Sequence, residues 1–209
     1  MITLRFTLVA EGTSDRVLIP ILRWMLLRHH SEFEWIGQTA DLHELPRPPR
    51  SLPQKIAVAS ELFPADIIFI HRDSDREPPQ ARREEIADAI TSLGVKPARH
   101  WIPVIPVRMT EAWLLVSEKA LRSASGNPNG RTPISFPSWR DLETIHDPKA
   151  VLQNLLIDAS GLNGRRSKKF NFPAQRARIP DFFESWEDLL RLASAKQLYQ
   201  EIATLRFDS

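Results

Sequence analysis

The sequence predicts an α/β fold: a doubly wound, mostly parallel sheet flanked by helices, followed by a helical C-terminal extension. Three observations predict it. Short apolar or β-rich runs alternate with helix-period segments over about 120 residues. One of those runs, Ala65 to Ile70, is apolar at nearly every position, as in a strand covered on both faces. The first and third runs each end in acids, Glu11-Gly12-Thr13-Ser14-Asp15 and Asp73-Ser74-Asp75, followed by a helical segment.

In chain order, Ile2, Leu4, Phe6, Leu8 and Val9 form the first strand, and Thr13, Ser14 and Asp15 offer caps for the periodic stretch Val17, Leu18, Ile21, Leu22, Met25, Leu26. That helix runs from about Ser14 to about Arg28, and Pro20 inside it requires a bend or a late start. Phe33 to Ile36 is a second strand, and Leu45-Pro46-Arg47-Pro48-Pro49-Arg50 a surface loop. Leu52 to Leu62 is a helix with Pro53 in its first turn. The buried strand Ala65 to Ile70 follows, then a charged amphipathic helix from Gln80 to Leu93 ended by Gly94. Trp101 to Val107 is a strand that Pro103 and Pro106 confine to a sheet edge or cut short. Thr110 caps a helix through Glu111-Ala112-Trp113-Leu114. The Gly-, Asn- and Pro-rich stretch from Ser123 to Trp139 marks a boundary, so residues 1–122 form the α/β domain and residues 123–209 a loop and helical extension packed on it. Helices are expected over Asp147 to Ala159, Phe182 to Ala193 and Ala195 to Leu205.

The bulk properties narrow the class. A net charge of +2 with a pI near 9.1 is compatible with an anionic partner without requiring one. The chain has no cysteine, which excludes disulfides and thiolate zinc sites and suits a reducing cytoplasm. No apolar stretch approaches the ~18 residues of a membrane span, and no leader pattern opens the chain, so a cytoplasmic location without membrane attachment is expected.

In a doubly wound sheet, right-handed crossovers bring the carboxyl ends of the strands to one rim, which places Glu11, Asp73, Asp75 and Glu111 together there. Gathered carboxylates repel unless a cation relieves them, and oxygen ligands alone favour Mg²⁺ or Mn²⁺ over zinc. Alternate residues at a strand end point to one side, so Asp73 and Asp75 have the spacing to share an ion. Asp15 reads either as a favourable charge at a helix start or as a ligand of a second ion. His71 beside the Asp-x-Asp reads as a supporting or structural histidine, and the other five histidines show no metal-ligand spacing.

The stretch Glu11-Gly12-Thr13-Ser14-Asp15, the following Val17-Leu18-Ile19-Pro20-Ile21-Leu22 and the later Asp73-Ser74-Asp75 resemble the TOPRIM domain, in particular that of the OLD-type nucleases. The chain is also similar to small bacterial TOPRIM-like proteins carrying a Glu-Ala-Trp-Leu-like motif, here Glu111 to Leu114. The resemblance covers about residues 2 to 116. It implies a TOPRIM-like fold and metal-dependent phosphodiester chemistry on DNA or RNA, in phage defence or repair. It implies Glu11 as a metal ligand or general acid/base, Asp73 and Asp75 as ligands, Asp15 as a second-ion ligand, and Glu111 as a further candidate. One ion would polarise the phosphate and a second would activate water. The chain departs from the OLD type in lacking a Gly-x-x-x-x-Gly-Lys-Ser/Thr phosphate loop. Tyr199, the one tyrosine, sits in an expected C-terminal helix, which argues against topoisomerase chemistry.

Basic residues concentrate in Gly161 to Arg178: Arg165, Arg166, Lys168, Lys169, Arg176 and Arg178, with no acid and with Phe170 and Phe172 interleaved. Such cations engage phosphates while aromatic faces stack on unpaired bases. Lys168 or Lys169 is the candidate for stabilising transition-state charge, the role the resemblance gives to a lysine. Arg108 is a further phosphate-binding candidate. The leading expectation is a divalent-metal-dependent nuclease; the alternative is a non-cleaving nucleic-acid-binding or regulatory subunit that works with a partner ATPase or as a homo-oligomer. A haloacid-dehalogenase-like phosphatase is discounted, because its Asp-x-Asp would follow the first strand, which here ends in Glu11.

Overall fold

Four parallel strands, β1 (Ile2–Val9), β2 (Phe33–Thr39), β3 (Ile67–His71) and β4 (His100–Val104), form one sheet in the order β2-β1-β3-β4. A computed structural model describes residues 2–207. The structure is α/β, with the all-parallel, Rossmann-like sheet and flanking helices that the alternation of periods predicts. It divides into two units, residues 2–105 with 197–207, and residues 106–196. The composition change expected to separate domains at 122/123 thus falls inside the second unit.

In the first unit, strand alternation sorts the core. Val9, Ile68 and Ile70 pack with Ile56 and Ala59 of α2 (Leu52–Leu62) and with Ile86 and Ala89 of α3 (Pro79–Ser92). The opposite alternation carries Phe6, Leu8, Ile67 and Phe69, all buried, with Phe6 edge-on to Phe69 at 5.6 Å. Because β2 and β3 lie on opposite sides of β1, right-handed crossovers place α1 (Leu18–His29) on the face away from α2. Gly37 has a packing reason: a Cβ there would stand 2.2 Å from the Phe6 ring.

Local sequence explains the boundaries. The first helix begins late. Thr13–Val17 is a 3₁₀ turn, and α1 proper starts at Leu18, so Pro20 lies in its first turn, where no helical N–H partner is lost. Ser51 accepts the Gln54 N–H, and Gln54 reaches back in a capping box that starts α2. β4 is an edge strand, which accommodates Pro103, and it stops before Pro106. The C-terminal residues complete this unit: Phe207 packs edge-on against His30, Phe33, Trp35 and His100. His30 and His100 also hydrogen-bond the carbonyls of Ile202 and Arg206, which makes both histidines structural.

The second unit is helical. It contains α4 (Glu111–Leu114), α5 (Glu118–Ala124), α6 (Pro148–Ser160), α7 (Phe172–Arg178) and the start of α8 (Ala193–Ala203). Asp147 caps α6 by accepting the Ala150 N–H at 2.9 Å, with Pro148 at the first position and Gly161 ending the helix at φ 70°. The helix expected over Phe182 to Ala193 does not form. Two 3₁₀ turns, Ile179–Phe182 and Glu187–Arg191, stand there, because Phe183 leaves the helical conformation and stacks on Trp186 at 3.9 Å. Glu143 then takes the Ala193 and Ser194 N–H groups and caps α8.

Candidate functional site

In the order β2-β1-β3-β4 the chain reverses direction across the sheet between β1 and β3, and the crevice at their carboxyl ends is where an open α/β sheet binds ligands. The loop after β1 carries Glu11 and Asp15. The loop after β3 carries Asp73 and Asp75. Four of the five expected acids therefore belong to the loops flanking this switch point, and the tertiary structure shows what holds them.

Asp15 is buried, and its Oδ2 accepts the Gly12 N–H at 3.1 Å. His71, the last residue of β3, is 1 % exposed and stands between two carboxylates: Nδ1 lies 3.4 Å from Asp15 Oδ2 and Nε2 3.2 Å from Asp73 Oδ1. Burial pushes this imidazole down, but the hydrogen bonds and charges of Asp15 and Asp73 more than reverse it and hold its pKa at about 9. His71 is thus an internal cation at neutral pH.

A second chain of charges runs across the rim. Arg72 Nη1 is 2.8 Å from Glu11 Oε1, and its Nη2 is 3.1 Å from Glu85 Oε1 on α3. Arg82, also on α3, reaches the other Glu85 oxygen at 3.0 Å and Asp75 Oδ2 at 3.4 Å, while its Nε donates to the Asp73 carbonyl at 3.1 Å. Burial raises the pKa of Glu11; Arg72 and His71 oppose that, and Asp73 and Asp75 add to it. Glu11 thus senses the charges of Asp73 and Asp75. Strand alternation does not align Asp73 with Asp75, however, because β3 ends at His71 and Asp75 adopts a left-handed conformation at φ 54°. Arg82, bound to both, sets their relation instead.

Carboxylate oxygens at an accessible rim are the right donors in kind for Mg²⁺ or Mn²⁺. Their spacing is another matter. Among the described residues no three Asp, Glu or His side chains converge to ligate one ion, because His71, Arg72 and Arg82 hold the acids. Cation binding requires those partners to yield.

The remaining candidates lie in the second unit. Glu111 is buried and commits its Oε1 to Arg176 Nε at 2.9 Å. Arg176 is 4 % exposed, so it does not join the basic surface expected of it. Arg165, Arg166, Lys168, Lys169 and Arg178 are exposed around a 3₁₀ turn (Ser167–Lys169) and on α7. Phe172 is core rather than a stacking platform, and Phe170 is half-buried. Arg108 is half-buried in a left-handed conformation at φ 62°.

Sequence reading missed the roles of Arg72, Arg82 and Glu85 and the clamp made by His71. The available signal was adjacency: Arg72 precedes Asp73, and Arg82 and Glu85 share a helix face at i, i+3. Among the described residues, no helix is long and apolar enough to cross a membrane. Comparisons with protein-family models, curated proteins and solved structures gave no match.

Proposed function

We propose that this chain is a divalent-cation-dependent phosphodiesterase acting on nucleic acid, with its site at the β1/β3 crevice. One observation carries the reading: Glu11 on the loop after β1 and Asp73 and Asp75 on the loop after β3 stand at the ends of two adjacent parallel strands, and Arg72, Glu85 and Arg82 tie Glu11 and Asp75 into one chain of ion pairs. Glu11, Asp73 and Asp75 would hold Mg²⁺ or Mn²⁺, and Asp15 with His71 would fix Asp73 from behind. A bound cation supplies Lewis-acid polarisation of the phosphate and a more acidic water. If Asp73 and Asp75 hold the ion without it, Glu11, partly exposed and with a pKa that burial raises, is suited instead to pass a proton at its carboxylate. Arg72 and Arg82, once released from the acids, supply guanidinium groups for phosphate oxygens. The exposed cations of the second unit add capacity for the nucleic-acid backbone.

The test is incubation of the protein with supercoiled plasmid and with single-stranded DNA and RNA in Mn²⁺ or Mg²⁺, alongside Glu11→Ala and Asp73→Ala. Wild-type cleavage should fall by about a hundredfold or more in either variant, as for loss of a group that stabilises developing charge. Equal activity in all three would overturn the assignment.

A second reading is favoured by the same ion pairs. Because each rim acid is already answered by His71, Arg72 or Arg82, the chain also suits a non-cleaving nucleic-acid-binding or regulatory subunit of a larger, ATPase-containing complex. That reading predicts nucleic-acid binding that survives Asp73→Ala, with no cleavage by the wild type under any cation.

A further inference from the structure

A cavity of about 180 Å³ opens on the flank of Glu11 opposite β3, between the carboxyl ends of β1 and β2 and the start of α2. It is small against the ~300–1,000 Å³ of drug-sized sites and open to solvent, so a small ligand lies partly within it and partly outside. Leu42, Pro48 and Pro49 supply a largely apolar wall, and the two prolines make that wall stiff. Glu11 stands in the lining and so belongs both to the cavity and to the acidic rim.

The charges of the lining are unevenly answered. Glu11 is paired with Arg72 at 2.8 Å and Asp41 Oδ2 with Arg16 at 2.7 Å, and His43 has Glu44 within 4.0 Å. Lys55, on the first turns of α2 and half-buried, has no side-chain ion pair or hydrogen bond among the described residues. Asp41 carries the complementary irregularity. Its Oδ1 is buried and accepts no hydrogen bond among the described residues, a state that costs stability until a donor arrives. An uncompensated cation, an unused buried acceptor and an apolar wall in one small cavity match the groups of a single nucleotide: a phosphate, a base N–H and a base face.

We infer that this cavity binds one nucleotide unit next to the reacting phosphate, with the phosphate on Lys55, a base N–H on Asp41 Oδ1 and the base against Leu42, Pro48 and Pro49. The inference rests on the phosphodiester reading of the adjoining rim, which it deepens by giving the site a base-accepting position. It predicts a preference for a substrate in which one base is free to leave the stack, a single strand or a strand end, over an intact duplex.

The experiment is calorimetric titration of the full chain with the four deoxynucleoside monophosphates, with deoxyribose 5-phosphate and with inorganic phosphate, in chelator so that no cation contributes. At least one mononucleotide should bind about tenfold or more tightly than deoxyribose 5-phosphate. Lys55→Ala should weaken mononucleotide binding by about tenfold or more, as for a lost charged hydrogen bond, while Lys55→Arg retains most of it. Asp41→Leu should narrow the gap between mononucleotide and deoxyribose 5-phosphate without closing it, because the base keeps its contact with Leu42, Pro48 and Pro49. Lys96→Ala, exposed on the loop before β4, serves as the control and should leave binding unchanged. Mononucleotides no tighter than inorganic phosphate, or binding indifferent to Lys55→Ala, would overturn the inference even if the chain cleaves plasmid. Mononucleotide binding that depends on Lys55, in a protein that cleaves nothing, would sustain the cavity and refute the phosphodiesterase.

Discussion

Replacing His71 with glutamine tests the internal cation on which the rim is organised. In the folded protein the imidazole is 1 % exposed, 3.2 Å from Asp73 and 3.4 Å from Asp15, and its pKa is held at about 9. In the unfolded chain it returns to about 6.5. The folded value is the higher one, so the folded state binds the extra proton, and stability must fall as pH rises through the interval between the two. At about 1.4 kcal/mol per pH unit, the imidazolium contributes on the order of 3 kcal/mol. That contribution is fully present below about pH 6.5, declines above it and is nearly gone by pH 9. Urea denaturation between pH 6 and pH 9, with chelator present, reads it directly as a falling midpoint at constant slope. Wild type should lose about 3 kcal/mol across that window. His71→Gln can donate one hydrogen bond but cannot change charge, so its stability should be nearly flat there. If both proteins show the same dependence on pH, the carboxylates do not hold a charged imidazole, and the account of the rim fails.

Removing Glu111 by Glu111→Ala strands the buried Arg176 guanidinium without its carboxylate and should cost about 3–5 kcal/mol by chemical denaturation. The double variant Glu111→Leu with Arg176→Met should recover most of that loss; a single variant as stable as wild type would show that the pair is not buried in solution. For the basic turn, Lys168→Ala combined with Lys169→Ala should lower the slope of log affinity against log salt by about 1.8 for duplex DNA, read by fluorescence anisotropy. An unchanged slope would remove these lysines from the nucleic-acid surface.

Much of the frame is legible in the sequence. The apolar run Ile67 to Ile70 is a strand because continuous burial leaves no other pattern, and Asp147-Pro148 starts a helix because the caps are local chemistry. Pro103 and Pro106 marked an edge strand and its end for the same reason: a missing N–H is written in the residue type. The expected helix from Phe182 misled, because its pattern suited a helix while the stacking of Phe183 on Trp186 decided otherwise.

The sequence by itself determined which loops carry the acids, because strand ends follow from hydrophobic period and the acids are adjacent to them. Only the tertiary structure decided what those acids do in the folded chain. His71 bridges Asp15 to Asp73 across 58 residues of chain, and α3 brings Arg82 and Glu85 to the β1/β3 crevice. Asp41 and Lys55 likewise line one cavity only because β2 and α2 end and begin beside Glu11. The physical reason is range: capping and periodicity act within a few residues, whereas Coulomb forces and burial depend on neighbours that distant segments supply. Glu11, the first acid to stand out in the sequence, is a half-exposed carboxylate with a raised pKa only because burial, Arg72, His71, Asp73 and Asp75 act on it at once.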